Sequence, residues 1–264
     1  MWLAGSLAQH DDFLFIAAPV FEIVWRRTAG DSLARDVLFE HLYDIDIIGN
    51  RLIALGAQRS ESRELSPDGA IAWILPIKPS SELPEVLGEP KPILYSQFGT
   101  GPKAIDACAA FGLGHVRFFD DGRSIIAPGA EPTVYLRDPD GVPIRSWDAT
   151  GLGLEVPCAE LDMEQVLLYS RDPDARWTWL EQFETIDEVL ATDHGPVLIG
   201  RRVEAGETRW RAIFLDLEGS DHRSVDLPFS TPSRRSHLKA DIDGDRMVFL
   251  LYEDDRPERP WAAE

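Results

Sequence analysis

Short apolar runs, each closed by a turn signal, follow one another along almost the whole chain. The clearest stretch is residues 115–148, HVRFFDDGRSIIAPGAEPTVYLRDPDGVPIRSWD. It divides into four runs: HVRFF, RSIIAP, TVYLRD and VPIRSW. Asp120-Asp121-Gly122 separates the first two, and Pro139-Asp140-Gly141 separates the last two. Asp-Gly favours tight hairpins because both residues tolerate positive φ. Four short antiparallel strands joined by such turns make one propeller blade.

The same order of runs and turns recurs. HLYDIDIIGNRLIALG turns at Gly49-Asn50, ELSPDGAIAWIL at Asp68-Gly69, EVLATDHGPVLIG at Gly195, RWRAIFLDLEGSDHRSVDL near Gly219 and HLKADIDGDRMVFLLYE at Gly244. FLFIAAPVFEIVWRRTAGD matches SIIAPGAEPTVYLRDPDG run for run, and VLLYSRDPDARWTWL repeats the YLRDPDG turn. This periodicity predicts an all-β fold, a β-propeller of five to six four-stranded blades in one domain spanning 1–264. The first fragment has no innermost strand ahead of Phe13, and the last has only two strands, so these terminal partial blades are expected to close the ring. Two stretches interrupt the pattern. Residues 78–114 read as an inter-blade insertion with a short helix near Ile105 to Ala110, and 254–264 reads as a surface tail.

The module GHVRFFDDGRSIIAPGAEPTVYLRDPDGVPIRSWD resembles the six-bladed propellers of the NHL and TolB-like kind, and at the level of pattern the resemblance covers most of 13–253. Such propellers include binding scaffolds, lactonases and lyases, so the resemblance implies a fold and leaves the activity open.

Composition narrows the partners. The net charge of −20 sets up a field that repels phosphate backbones and anionic bilayers, so neither nucleic acid nor a membrane surface is expected as a partner. No apolar run reaches the length of a membrane span, and residues 1–12 lack the basic and apolar parts of a secretory signal. As written, the chain is expected in the cytoplasm; a longer precursor would place it outside. Cys108 and Cys158 have no CxxC neighbour, which excludes a multi-cysteine zinc site and favours two buried thiols over one disulfide.

The candidate chemistry is histidine-based. His115 lies seven residues before Gly122, His237 seven before Gly244, Glu188 seven before Gly195, and His41 eight before Gly49. If the glycines mark equivalent turns, these four residues start inner strands and converge on the channel axis. Three imidazoles and a carboxylate suit Zn²⁺ with one open position, where a bound water ionises near neutral pH. The arrangement is similar to that of the peptide α-hydroxyglycine lyases, propellers with axial histidines. The alternative is strand-end histidines bonded to loop backbone. Asp241, Asp243 and Asp245 alternate as in a calcium loop, but Tyr252 stands where the last acidic ligand belongs, so a hairpin is expected. Asp44 and Asp46 share one strand face and are expected to lie near the strand's end and bind loop amides. The tryptophans, including Trp73, Trp147, Trp177, Trp179 and Trp210, read as outer-strand packing residues. The chain has no GxSxG, P-loop, GxGxxG or HExxH motif. The leading expectation is a non-enzymatic propeller scaffold that binds a protein or small ligand on one face, without a cofactor. The alternative is a metal-dependent lyase or hydrolase with an axial histidine site.

Overall fold

The computed structural model describes residues 6–10, 13–18, 22–27, 33–36, 39–58, 70–78, 85–86, 91–95, 114–129, 131–157, 161–162, 164–165, 168–169, 172–218, 221–243, 246–253 and 261–263. The chain forms two compact units, Met1–Ser146 and Trp147–Glu264. In the first unit β1 (Ser6–His10), β2 (Phe13–Ala18), β3 (Glu22–Arg27) and β4 (Leu33–Asp36) form an antiparallel sheet in chain order. A second sheet holds β5 (Phe39–Ile48), β6 (Arg51–Gln58), β7 (Ala70–Lys78) and β8 (Glu85–Val86), with β9 (Lys91–Tyr95) also pairing with β7. The third holds β10 (His115–Phe118), β11 (Ser124–Ala127), β12 (Thr133–Arg137) and β13 (Pro143–Asp148), and the chain passes into the second unit within β13.

The second unit continues with a 3-10 turn (Thr150–Leu152) and helix α1 (Pro173–Leu180). A four-stranded sheet follows, β14 (Thr185–Thr192), β15 (Gly195–Glu204), β16 (Glu207–Leu215) and β17 (His222–Thr231). A three-stranded sheet ends the chain, β18 (Ser236–Asp243), β19 (Arg246–Glu253) and β20 (Trp261–Ala263). Sequential four-stranded antiparallel meanders are propeller blades, and the fold is of the β-propeller type. Among the described residues no helix is long and apolar enough to cross a membrane.

Burial explains why the runs stood out. The second strands are sealed on both faces: all of β11 is buried, and β15 is buried from Gly195 to Arg201. Strands covered on both sides read as continuous apolar runs. The outer strands β13 and β17 are mostly exposed and read as mixed sequence. In the second unit Leu190, Val197, Ile199, Trp210, Ala212, Leu238 and Leu251 form the buried core, flanked by half-buried Phe229 and Phe249.

Several expectations are corrected. The first sheet is complete, because β1 supplies the inner strand that the polar run SLAQH concealed; it needs no strand from a C-terminal partial blade. The insertion 78–114 is partly sheet, since β8 and β9 both pair with β7. The tail is not wholly irregular, because β20 pairs with β19 and makes the last sheet three-stranded. The run RDPDARWTWL is no hairpin: Asp172 caps helix α1 by accepting the Ala175 N–H at 3.1 Å, with Pro173 in the first turn. Asp-Pro is both a turn signal and a helix start, and here the second meaning holds. Trp177 and Trp179 therefore lie on a helix, whereas Trp73, Trp147 and Trp210 lie on strands. The expected helix near Ile105 to Ala110 and both cysteines lie outside the described residues.

Two turns test the backbone account. Gly141 has φ +80°, and a Cβ there would meet Ile93 Cγ2 at 2.2 Å. Gly141→Ala should therefore cost about 2–4 kcal/mol, combining strain with overpacking. The β15–β16 hairpin instead forces Ala205 to φ 52° beside Gly206 at 85°. Asparagine tolerates that region, so Ala205→Asn should stabilise by about 0.5–1 kcal/mol. Urea unfolding of both variants checks the opposite signs.

Candidate functional site

An inner blade strand pairs on one edge only, so its other edge needs partners for its amides. In the first unit β5 supplies them from side chains. Asp44 Oδ2 accepts the Val116 N–H at 2.9 Å, and Asp46 Oδ2 accepts the Phe118 N–H at 2.6 Å. The alternation of Asp44 and Asp46 thus matches alternate amides of β10 running in the same direction. The expectation that this pair binds loop amides is refined: the amides belong to a strand. Arg117 Nη1 also donates to Asp44 Oδ2 at 2.6 Å, and His115 Nδ1 lies 3.9 Å from the same oxygen. Burial pushes the Asp46 carboxyl up to about 6; Arg117 and the Phe118 and Ile47 amides oppose that, and Asp44 adds to it.

The second unit repeats the device with a different outcome. Asp187 sits at a bulge in β14, where the register against β15 shifts between Ile186 and Glu188. Its Oδ2 accepts the Leu238 N–H of β18 and the Trp210 indole N–H, each at 2.8 Å. Its Oδ1 lies 2.7 Å from His237 Nδ1. Burial alone would push this carboxyl up, but the His237 ring, Arg201 and the Trp210 donor together hold it down to about 2. An ionised carboxylate only accepts, so Nδ1 donates the proton of this contact. Next to this pair, Glu188 Oε2 lies 3.2 Å from Lys239 Nζ.

The four sequence-selected residues do not share one register. Hairpins close at Ile48–Arg51, Phe119–Arg123, Thr192–Gly195 and Asp243–Arg246. Counted back from its own closing residue, His115 and Glu188 are fourth, His237 is sixth and His41 seventh. Gly122 ends a three-residue loop, Gly49 opens a two-residue loop, and Gly195 already belongs to β15. Counting from glycines therefore mixed three turn positions. The residues equivalent to His115 and Glu188 are Asp44 and Lys239, which the glycine count passed over. Asp44, His115 and Glu188 are fully buried, while the Lys239 side chain is 33% exposed. His41 pairs with Ala57 in the β5–β6 ladder, and its side chain lies outside the described residues. A metal at His237 would have to take Nε2, since Nδ1 is engaged by Asp187.

The strand-start end of the second unit also carries its helical excursion. Helix α1 is tied down at three points. Asp174 pairs with Arg235, and Glu181 pairs with Arg234 at 3.3 Å. Between them Trp177 meets His237 edge-on, ring centroids 5.0 Å apart, and the Arg201 guanidinium lies 5.0 Å over the Trp177 ring. Tyr252 stacks on His237 at 5.5 Å. Arg201 itself is buried and donates through Nε to the Ser236 carbonyl at 2.8 Å. Burial pulls its guanidinium down, and Asp187 and Glu181 oppose that. The helix therefore buries Trp177 and Leu180 and turns a second aromatic set outward. Tyr169 stacks on Trp179 at 4.9 Å with 14° between planes, and Phe183 meets Trp179 edge-on at 5.5 Å. All three rings are half-buried, and Leu168 beside Tyr169 is 50% exposed. Reading this segment as a repeat of the YLRDPDG turn hid the platform, although its aromatic density was visible.

No family model matches the sequence, and no curated protein is similar to it in sequence. Solved structures similar in fold include the Myceliophteria thermophila Cps50 (Swd1) β-propeller domain, at 9% identity over 99% of this chain and 72% of that one, with a TM-score of 0.42. BamB from Moraxella catarrhalis is similar at 12% identity over 99% of this chain and 65% of that one, TM-score 0.40. A chain of a nidogen/laminin complex is similar at 8% identity over 98% of this chain and 79% of that one, TM-score 0.47.

The carboxylates Asp46 and Asp187 predict opposite responses to pH. Asp46 binds its proton more tightly when folded, so its contribution is present below pH 3.8 and lost as pH rises through about 6. Asp187 binds its proton less tightly when folded, so its contribution is present above pH 3.8 and lost as pH falls to about 2. Relative to wild type, Asp46→Asn should gain stability between pH 4 and 7, and Asp187→Asn should lose least at the acid end. Asp187→Ala strands the Trp210, Leu238 and His237 donors and should cost about 3 kcal/mol or more. Urea midpoints across pH measure all three.

Proposed function

We propose that this chain is a propeller-type binding scaffold, without catalytic activity of its own, whose partner is a protein that docks on the α1 end of the second unit. One observation carries the reading. A helix fastened by two ion pairs and a buried tryptophan holds Tyr169, Trp179 and Phe183 half-exposed beside Leu168. Rigid aromatic rings on a fixed support are what protein interfaces concentrate at their centres, because they bury much area for little lost conformational freedom. The rest of the fold acts as support: the sheets are closed by tight hairpins, and this excursion interrupts that economy with helix α1. Loops and excursions on a rigid β scaffold are the usual carriers of recognition. The absence of GxSxG, P-loop, GxGxxG and HExxH motifs supports a binding role over an enzymatic one.

Affinity capture from the native lysate tests this with three baits: wild type, Trp179→Ala combined with Leu168→Asp, and a control carrying Ile144→Asp on exposed β13. The expected result is a partner retained by wild type and control and lost from the platform variant. Equal recovery on all three baits contradicts the proposal.

A further inference from the structure

The platform's surroundings specify the chemistry of what it meets. In the sequence of 161–183 the charged groups are Asp162, Glu164, Asp172, Asp174 and Glu181 against Arg171 and Arg176. Asp174 and Glu181 are neutralised by Arg235 and Arg234, which belong to the loop before β18. Asp162, Glu164 and Asp172 are exposed. Asp162 and Asp172 accept only backbone amides, from Gln165 and Ala175, so their charge stays in place. The platform is thus aromatic at its centre and acidic at its rim, on a chain whose net charge is −20. Such a field draws cationic partners toward the surface and turns anionic ones away.

The π faces favour the same sign of charge. A guanidinium or ammonium over a tryptophan or tyrosine face is held by the ring quadrupole. The chain uses this contact internally, with Arg201 over Trp177, Arg223 over Phe214 and Arg123 over Phe119. We propose that the partner presents an arginine- or lysine-rich segment whose cation packs on the Trp179–Tyr169 pair while its apolar neighbour covers Leu168. This rests on the reading that the α1 end is the docking face, and it adds the charge and side-chain type of the partner.

The test uses the full chain and two fluorescent synthetic peptides of equal length, one alternating Arg with Leu and one alternating Glu with Leu, read by fluorescence polarisation. The Arg peptide should bind, the Glu peptide should not, and added salt should weaken the complex. Trp179→Leu keeps bulk and net charge but removes the π face, and should weaken binding about 3- to 30-fold. Trp179→Ala is the second variant, each confirmed folded by circular dichroism. Glu164→Gln with Asp162→Asn should weaken binding by lowering the rim charge. Undiminished binding to both Trp179 variants overturns the inference, because attraction to bulk acidity would then account for the peptide. Equal binding of the Glu peptide also overturns it. If the Arg peptide fails to bind while capture of a natural partner still depends on Trp179, the docking face stands and the basic-segment inference falls.

Discussion

Aspartate carboxylates that reach across to the amides of a neighbouring inner strand are the interaction on which each unit depends. A four-stranded blade satisfies its own backbone everywhere except along the free edges of its first and last strands. The last strand can face water. The first is buried among other blades, where an unpaired amide costs about 1–3 kcal/mol. In the first unit Asp44 and Asp46 of β5 accept from Val116 and Phe118 of β10; in the second, Asp187 of β14 accepts from Leu238 of β18. Each aspartate acts as a side-chain rung where no ladder bond can form. Packing of the apolar second strands is non-directional, so these rungs fix how far one inner strand slides along the next.

The two copies of the device are electrostatically different. Asp46 is half-buried, feels the Arg117 that pairs with Asp44, and its desolvated carboxyl is pushed up to about 6. Asp187 gains a histidine, an indole donor and a nearby guanidinium, and stays ionised down to about pH 2. The difference follows from the bulge in β14. It places Asp187 outside the regular register and turns it toward His237 and Trp210, leaving Glu188 to pair with Lys239. The His237 ring is in turn held between Tyr252 and Trp177, which couples the rung to helix α1. The same carboxylate that seats β18 thereby also seats the helix beside the half-buried aromatic rings.

Much of the fold was legible in the sequence because second strands are covered on both faces and hairpins announce themselves through Asp-Gly and Gly-Asn. The runs RLIALG, SIIA and GPVLIG all became such strands. What escaped was short or polar. SLAQH has no apolar run, WAA spans three residues, and Asp172-Pro173 carries two structural meanings. The candidate site was half legible. Glu188, His115 and His237 proved to be inner-strand residues with charged neighbours, but their shared glycine spacing was an accident of unequal loop lengths. Asp187 was passed over because a bulge has no sequence signature here, and Lys239 because lysine is no metal ligand and so no search for ligands would select it.

The most direct measurement of the central claim is native-state hydrogen exchange at Val116, Phe118 and Leu238. These amides have side-chain carboxylates as acceptors. In the wild type they should exchange as slowly as ladder amides of β11 and β15. Asp44→Ala should release Val116, Asp46→Ala should release Phe118, and Asp187→Ala should release Leu238, each selectively. Fast exchange of all three in the wild type, or protection that survives removal of the carboxylates, would contradict the account.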